Sequence, residues 1–427
     1  YQDATGIDAG ASTNESARGA TTAKYYEGGA AGSDATGGTI TTYSEDGVDY
    51  KVHTFTSTGS TNFVTSTSAS FDLMLIAGGG GGGADTGSTG AGGGGGAGGL
   101  KYYVGRTVAA GTHAVVVGTA GAGATGHTDK GDTGAVTTFT ASGIAALSAS
   151  GGGGAGSRST NQALNGGSGG GGGQRDNTSA NYGTGVTNEG YRGGSGNEAS
   201  AMSGGGGGGA GAVGSDSTSG SGGNGGAGVV EGTTSVYDWQ AGSSTTLKIN
   251  GTTNQYAGGG GGAGASSQGT ASHGGGAVGA AGGANTGGGG GAHSSVTGFA
   301  GGTGIAVIRY VVGSFITGGA NLTLQSQATT AESAPTTADL VILIEDNEGV
   351  ATENTHIKAY VSRASSADFT DSVTLVDEGH WGTTTKRILV ARNIDLTPKN
   401  TGTSMRYKIE TLVQSAGGRE TRIHATS

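Results

Sequence analysis

Seven runs of glycine, at residues 78–83, 92–96, 151–154, 169–173, 204–209, 258–262 and 287–291, restrict this chain more than any other feature. Each glycine loses more backbone freedom on folding than any other residue. As flexible linkers the runs would need no particular length, and seven linkers in one domain serve little purpose. The alternative exploits the missing side chain. Polyglycine can take a left-handed conformation with three residues per turn and its N–H and C=O groups pointing sideways. Neighbours without Cβ atoms approach closely enough to hydrogen-bond and to add weak Cα–H···O contacts. Many runs are required, because a lone one leaves its backbone groups unpaired. Two readings stand: a packed lattice of glycine helices, or mobile glycine loops on a β core. The spacers between runs are unequal, which excludes a solenoid of fixed period.

Of the 100 glycines in the 427 residues, 81 lie between positions 78 and 310. Collagen needs glycine at every third place and abundant proline, whereas Pro335 and Pro398 are the only prolines here. Cysteine is absent, which excludes a disulfide scaffold and a thiolate zinc site. The clearest apolar runs, 73–77 and 340–344, are far shorter than the roughly 20 residues of a membrane helix, so no membrane insertion is expected. Net charge is −10 and no basic patch exists, which argues against nucleic acid as a partner. The apolar residues cluster instead of dispersing, which argues against a disordered coil. The chain starts at Tyr1 with no signal segment after it, and reads as a processed product, a fragment or the ordered part of something longer.

Short β-branched and aromatic segments predict strands at 50–56, 62–67, 71–77, 100–104, 113–118, 136–140, 245–250 and 304–312. From Val311 onward glycine falls to nine in 117 residues. Strands are expected there at 321–325, 339–345, 356–362, 372–376, 387–391, 404–411 and 420–425, separated by turns such as 346–349 and 377–379. Alternation puts Leu340, Ile342, Ile344, Ile357, Ala359, Val361, Val373, Leu375, Ile388, Val390, Met405, Tyr407 and Ile409 inside. The expected fold is all-β with polyglycine-II-type helices. Its parts are an N-terminal neck or remnant of a preceding domain (1–38), a glycine-rich β/polyglycine domain (39–310) and an antiparallel β-sandwich (311–427).

Five ordered blocks carry a resemblance. They are Tyr50-Lys-Val-His-Thr-Phe-Thr-Ser-Thr-Gly59, Phe71-Asp-Leu-Met-Leu-Ile-Ala-Gly-Gly-Gly80, residues 92–100, Gly111-Thr-His-Ala-Val-Val-Val-Gly118 and Gly301-Gly-Thr-Gly-Ile-Ala-Val-Ile-Arg-Tyr310. Together, over about residues 39–310, they resemble the glycine-rich domain of tail-fibre and adhesin proteins of tailed bacteriophages, especially marine and aquatic ones. The resemblance implies a β core carrying packed polyglycine helices, with variable loops that contact the host. A related fold in ectodomains of some animal receptor kinases means that fold alone does not imply a phage. Thr403-Ser-Met-Arg-Tyr-Lys-Ile-Glu-Thr411 and Thr421-Arg-Ile-His-Ala425 are similar to a module of aquatic phage fibres that usually continues a few residues further, which would make Ser427 a boundary.

No catalytic, cofactor or metal site is expected. Gly121-Ala-Gly123-Ala-Thr-Gly126 spells a dinucleotide fingerprint, but at this glycine density such spellings recur by chance and no helix follows. Gly166-Gly-Ser168-Gly-Gly170 spells a nucleophile elbow without its strand–turn–helix context. The eight histidines are isolated, with His53 and His356 read as surface or satisfied core positions. Glu345-Asp-Asn-Glu348 could ligate calcium but reads better as a solvated turn. Lys130-Gly-Asp132 matches an adhesion tripeptide that arises readily by chance. The aromatics beside glycine-rich loops either lid the lattice or contact a receptor, since flat amphipathic rings suit both. Tyr182, Tyr191, Arg192, Tyr237 and Trp239, on the spacers 174–203 and 229–244, are the receptor-binding candidates.

The expected function is a non-enzymatic virion fibre or adhesin that attaches a phage to a bacterial surface. Its location would be the virion or the extracellular space. Its partners would be a bacterial cell-surface glycan or outer-membrane protein, other virion proteins, and further copies in a homo-oligomer. The alternative is a structural subunit of a self-assembling extracellular filament or surface layer.

Overall fold

The computed structural model describes residues 7–8, 11–12, 15–18, 25–30, 35–46, 48–66, 68–85, 92–174, 181–197, 202–293, 297–311, 317–318, 320–364, 366, 368–415 and 418–426. Among these the chain is all β, with several sheets and no helix. It divides into two compact units: residues 35–45 with 49–312, and residues 1–34 with 46–48 and 313–427. Tyr1, Thr67, Val312, Ser427 and residues 175–180 and 198–201 of the expected loop lie outside the described residues.

In the glycine-rich unit the larger sheet runs Ser243–Thr246, Ser235–Asp238, Leu100–Val108, Ala69–Ile76, Ile305–Val311, Val48–Phe55 and Thr39–Glu45. Ala69–Ile76 is covered on both faces, so Phe71-Asp-Leu-Met-Leu-Ile76 reads as a nearly unbroken apolar run. One face meets a second sheet of Leu147–Ala149, Thr137–Thr140, Gly111–Val117 and Gly59–Thr65. Phe63 and Phe139 from that sheet pack edge-on against Phe71, each at 5.6 Å between centroids. His53 and His113 belong to this aromatic layer. His53 Nε2 lies 3.0 Å from the Tyr310 hydroxyl, and His113 Nε2 lies 3.0 Å from Thr65 Oγ1. Burial pushes the His113 imidazole below its ordinary pKa. The other face carries Met74, Ile76, Tyr102 and Val307, packed with Leu247, Ile249 and Tyr256. The strand expected at 245–250 is Ser243–Thr246, because Leu247 and Ile249 leave the ladder to fill this core.

The glycine runs lie outside the ladders, buried, and bond to one another. Gly78 and Gly81 donate to the carbonyls of Ala135 and Asp132, Gly79 and Gly82 to Gly302 and Phe299, and Gly80 and Gly83 to Gly96 and Gly93. In return the Gly78 and Gly81 carbonyls accept from Gly152 and Ala155. Those of Gly79 and Gly82 accept from Gly121 and Ala124, and those of Gly80 and Gly83 from Gly290 and His293. The partner therefore repeats every three residues. Three antiparallel neighbours take the N–H groups of this run and three parallel neighbours serve its carbonyls, all at 2.8–3.2 Å. Among the run glycines only Gly287 has a positive φ, +66°. The others are glycine because of proximity: a Cβ on Gly79, Gly81 or Gly82 would overlap the carbonyl oxygen of Gly288, Ala122 or Gly291. Flanking segments need only one inward residue in three. In Gly214-Ser-Asp-Ser217-Thr-Ser-Gly220, positions 214, 217 and 220 are buried and the rest exposed.

In the other unit the larger sheet runs Glu15–Arg18, Tyr25–Ala30, Glu420–Thr426, Thr337–Glu348, Lys386–Asp395 and Val376–His380, with Thr317–Gly318 beside Tyr25–Ala30. Residues 1–34, expected as part of a neck, thus contribute two strands to the sheet formed with residues 313–427. A second sheet holds Thr323–Gln325, Ser404–Thr411, Ile357–Ser362 and Thr329–Thr330. One buried cluster draws Leu340, Ile342, Ile344, Leu389 and Ile423 from the first sheet and Leu324, Ala359, Val361 and Ile409 from the second. Met405 and Tyr407 pack at its margin.

Two expectations change here. Leu389 and Ala391 enter the cluster, while Ile388 stays half-buried; Val390 is buried as expected, at 4 % exposure, but outside this cluster. The inward phase of this strand starts on Arg387, a charged residue, and a one-residue shift reverses every side chain of a strand. Arg387 is buried because it meets carboxylates: Nε donates to Asp346 at 2.9 Å and Nη1 to Asp377 at 3.1 Å, with Glu353 and the Ala351 carbonyl also in contact. Residues 345–348 are accordingly the end of the strand Thr337–Glu348, not a solvated turn. Asp346 is committed to Arg387 and to the Ala351 N–H.

Candidate functional site

The spellings that suggested other chemistry are absorbed by the lattice. Gly121 and Ala124 donate to Gly79 and Gly82, so those two N–H groups of the fingerprint are committed to the lattice. Ser168 is buried and its N–H donates to Ala97, so it presents no nucleophile at a surface.

The hairpin of Ser235–Asp238 and Ser243–Thr246 carries Tyr237 and leads into Trp239. Tyr237 pairs with Ser244 across it, and the Trp239 N–H donates to the Tyr102 carbonyl at 2.9 Å. Asp238 accepts from Val104 and Gln240, which docks the hairpin on Leu100–Val108. Its base is held by buried Glu231, whose Oε1 accepts from the N–H groups of Ile249, Asn250 and Gly251 at 2.8, 2.6 and 3.1 Å. Burial raises the Glu231 pKa against those three donors.

Tyr191 and Arg192 arrive from the lattice side. Tyr191 donates its N–H to Gly209 and accepts from Gly169, so glycine-run bonding fixes its backbone. The preceding turn has Asn188 at φ +65° and closes with Glu189 and Gly190 donating to the Val186 carbonyl. Between this segment and the hairpin lies a groove of about 500 Å³, floored by Leu100, Ala210, Val229 and Val236. Tyr191, Arg192 and Tyr237 line it. The two remaining candidates join through them. The Arg192 guanidinium sits 4.4 Å over the Tyr182 ring, and Trp239 packs edge-on against Tyr237 at 5.3 Å. All five sequence candidates therefore form one array.

Both cations of the array are matched. Arg192 meets Asp216 at 3.3 Å and also donates to the Gly193 carbonyl. Lys101 lies 4.0 Å over the Trp239 ring and 3.2 Å from Glu189. Glu189 is 4 % exposed, and its other oxygen accepts from the Ser150 N–H. Lys101 and Glu189 were not singled out from sequence. Their signal was scarcity, since charge is rare between positions 78 and 310, yet rarity alone does not bring two distant residues together.

The family described as glycine-rich domain matches residues 56–311, which takes in the lattice, the hairpin and every residue of the groove. No curated protein is significantly similar to the chain. On the extent of that match, the chain belongs to the glycine-rich domain family.

Proposed function

We propose that the chain is a non-enzymatic virion fibre or adhesin protein that attaches a phage to a bacterial surface, and that its groove is the attachment site. The observation that carries this reading is the gathering of Tyr182, Arg192, Tyr191, Tyr237 and Trp239 around one groove. A stiff scaffold presenting aromatic side chains on connecting segments is a general recognition design. We further read the glycine runs as polyglycine II helices, on their partner repeat of three and negative φ, and the unit containing residues 313–427 as an antiparallel β-sandwich.

The double variant Tyr191→Ala/Tyr237→Ala keeps the lattice bonds, which are made by backbone. It is expected to melt with the parent and to lose attachment to the bacterial cells the parent binds. Undiminished attachment by the folded variant would move recognition away from the groove. Immunogold electron microscopy decides against the filament subunit: label on virion fibres supports the adhesin, and label along free filaments without virions sinks it.

A further inference from the structure

We infer that the groove is built for an uncharged sugar. This rests on the adhesin reading and narrows it to a ligand class. The inference comes from which groups are spent and which are free. The two cations beside the groove are already neutralised, Arg192 by Asp216 and Lys101 by Glu189. An anionic ligand would have to compete with a carboxylate already paired to each cation. The free groups are of another kind. Thr187, Asn188, Ser235 and Ser244 line the groove, are exposed, and make no side-chain hydrogen bond among the described residues. They surround a floor of aliphatic carbon.

Tyr191 completes the set. The residue is 48 % exposed, whereas the rings of Tyr182 and Trp239 are each covered by a cation. An exposed ring offers a flat apolar face to the C–H side of a pyranose, with its hydroxyl wet. Neutral hydroxyl and amide groups then take the sugar hydroxyls, each able to donate and accept. A sugar with a carboxylate or phosphate would bring a charge that finds no unmatched cation in the groove.

The test uses the full chain on an array of neutral hexose and N-acetylhexosamine oligosaccharides printed beside uronic-acid and sialylated ones. Binding to neutral members is expected, unchanged as salt rises from low to high. Tyr191→Ala is expected to weaken it roughly tenfold or more, and Tyr191→Phe to retain most of it. Asn188→Gly with Ser244→Ala removes two partners for sugar hydroxyls while glycine keeps the φ of +65° that the turn before Tyr191 requires, and is expected to weaken binding several-fold. Binding confined to acidic glycans and falling with salt would overturn the inference, as would binding to none. If no glycan binds but Tyr191→Ala still abolishes cell attachment, and protease treatment of the cells does the same, the receptor is a protein. The sugar inference then fails while the adhesin reading survives. If Tyr191→Ala leaves cell attachment intact, the groove reading fails with it.

Discussion

Gly81→Ala is expected to destabilise the glycine-rich unit severely, although it adds one methyl group and improves local propensity. The added Cβ would overlap the carbonyl oxygen of Ala122, a backbone atom with no rotamer to move. Gly81 also donates to Asp132 and accepts from Ala155, so shifting its strand breaks bonds to two further segments. Overpacking of an ordinary core costs about 1–3 kcal/mol when side chains can adjust. Here only backbone can yield, and the loss should exceed about 3 kcal/mol. At about 2–4 °C per kcal/mol this lowers the melting temperature by roughly 6–12 °C or more. Gly126→Ala is the control. Its φ is not positive and a Cβ there meets nothing within 4 Å, so it should be neutral or stabilise by about 0.4–1 kcal/mol. Calorimetry of both variants checks the contrast. Equal melting temperatures for Gly81→Ala and the parent would contradict it.

The second large effect belongs to the other unit. Arg387→Ala removes the guanidinium shared by Asp346, Asp377 and Glu353. Asp346 is 7 % exposed, so its charge would stay in a site that water barely reaches. Removing one partner of a buried ion pair costs about 3–5 kcal/mol, because the other charge is left uncompensated. Denaturant unfolding of that variant should show a loss in this range. Arg387→Met with Asp346→Leu should recover only part of it, because Asp346 also caps the Ala351 N–H. A loss below about 1 kcal/mol would mean that the cluster behaves as an exposed pair.

Strands rich in clustered aliphatic, β-branched and aromatic residues were legible in the sequence: Ser404–Thr411 coincides with its expectation, and Ala69–Ile76 and Ile305–Val311 lie within a residue or two of theirs. The misplacing of Ile388 had a definite cause. A buried arginine looks like a surface residue until its three carboxylates, 10 to 41 positions away, are placed around it. The strand expected at 372–376 lies instead at Val376–His380, and the turn expected at 377–379 from the turn chemistry of Asp377-Glu-Gly379 falls inside it. It is an edge strand, where exposed charge and glycine are tolerated. The glycine runs announced close packing, but not which runs meet, since every run reads alike. A subtler signal lay in the flanking segments, where one inward residue in three carries the period of the lattice, as at Gly214, Ser217 and Gly220. The five groove candidates were legible as residue types on spacers. Their convergence was not, because it depends on how the hairpin docks on Leu100–Val108 and on which glycines bond Tyr191.

The central claim is that the glycine runs form one bonded scaffold, and amide hydrogen exchange tests it most directly. The N–H groups of Gly79 through Gly83, and of Gly93 through Gly98, each have a backbone carbonyl partner at 2.8–3.0 Å. They should exchange only when the whole unit opens, with protection matching that of the strand Ala69–Ile76. Free exchange of these glycine amides while Ala69–Ile76 stays protected would show mobile loops on a β core and would contradict the account.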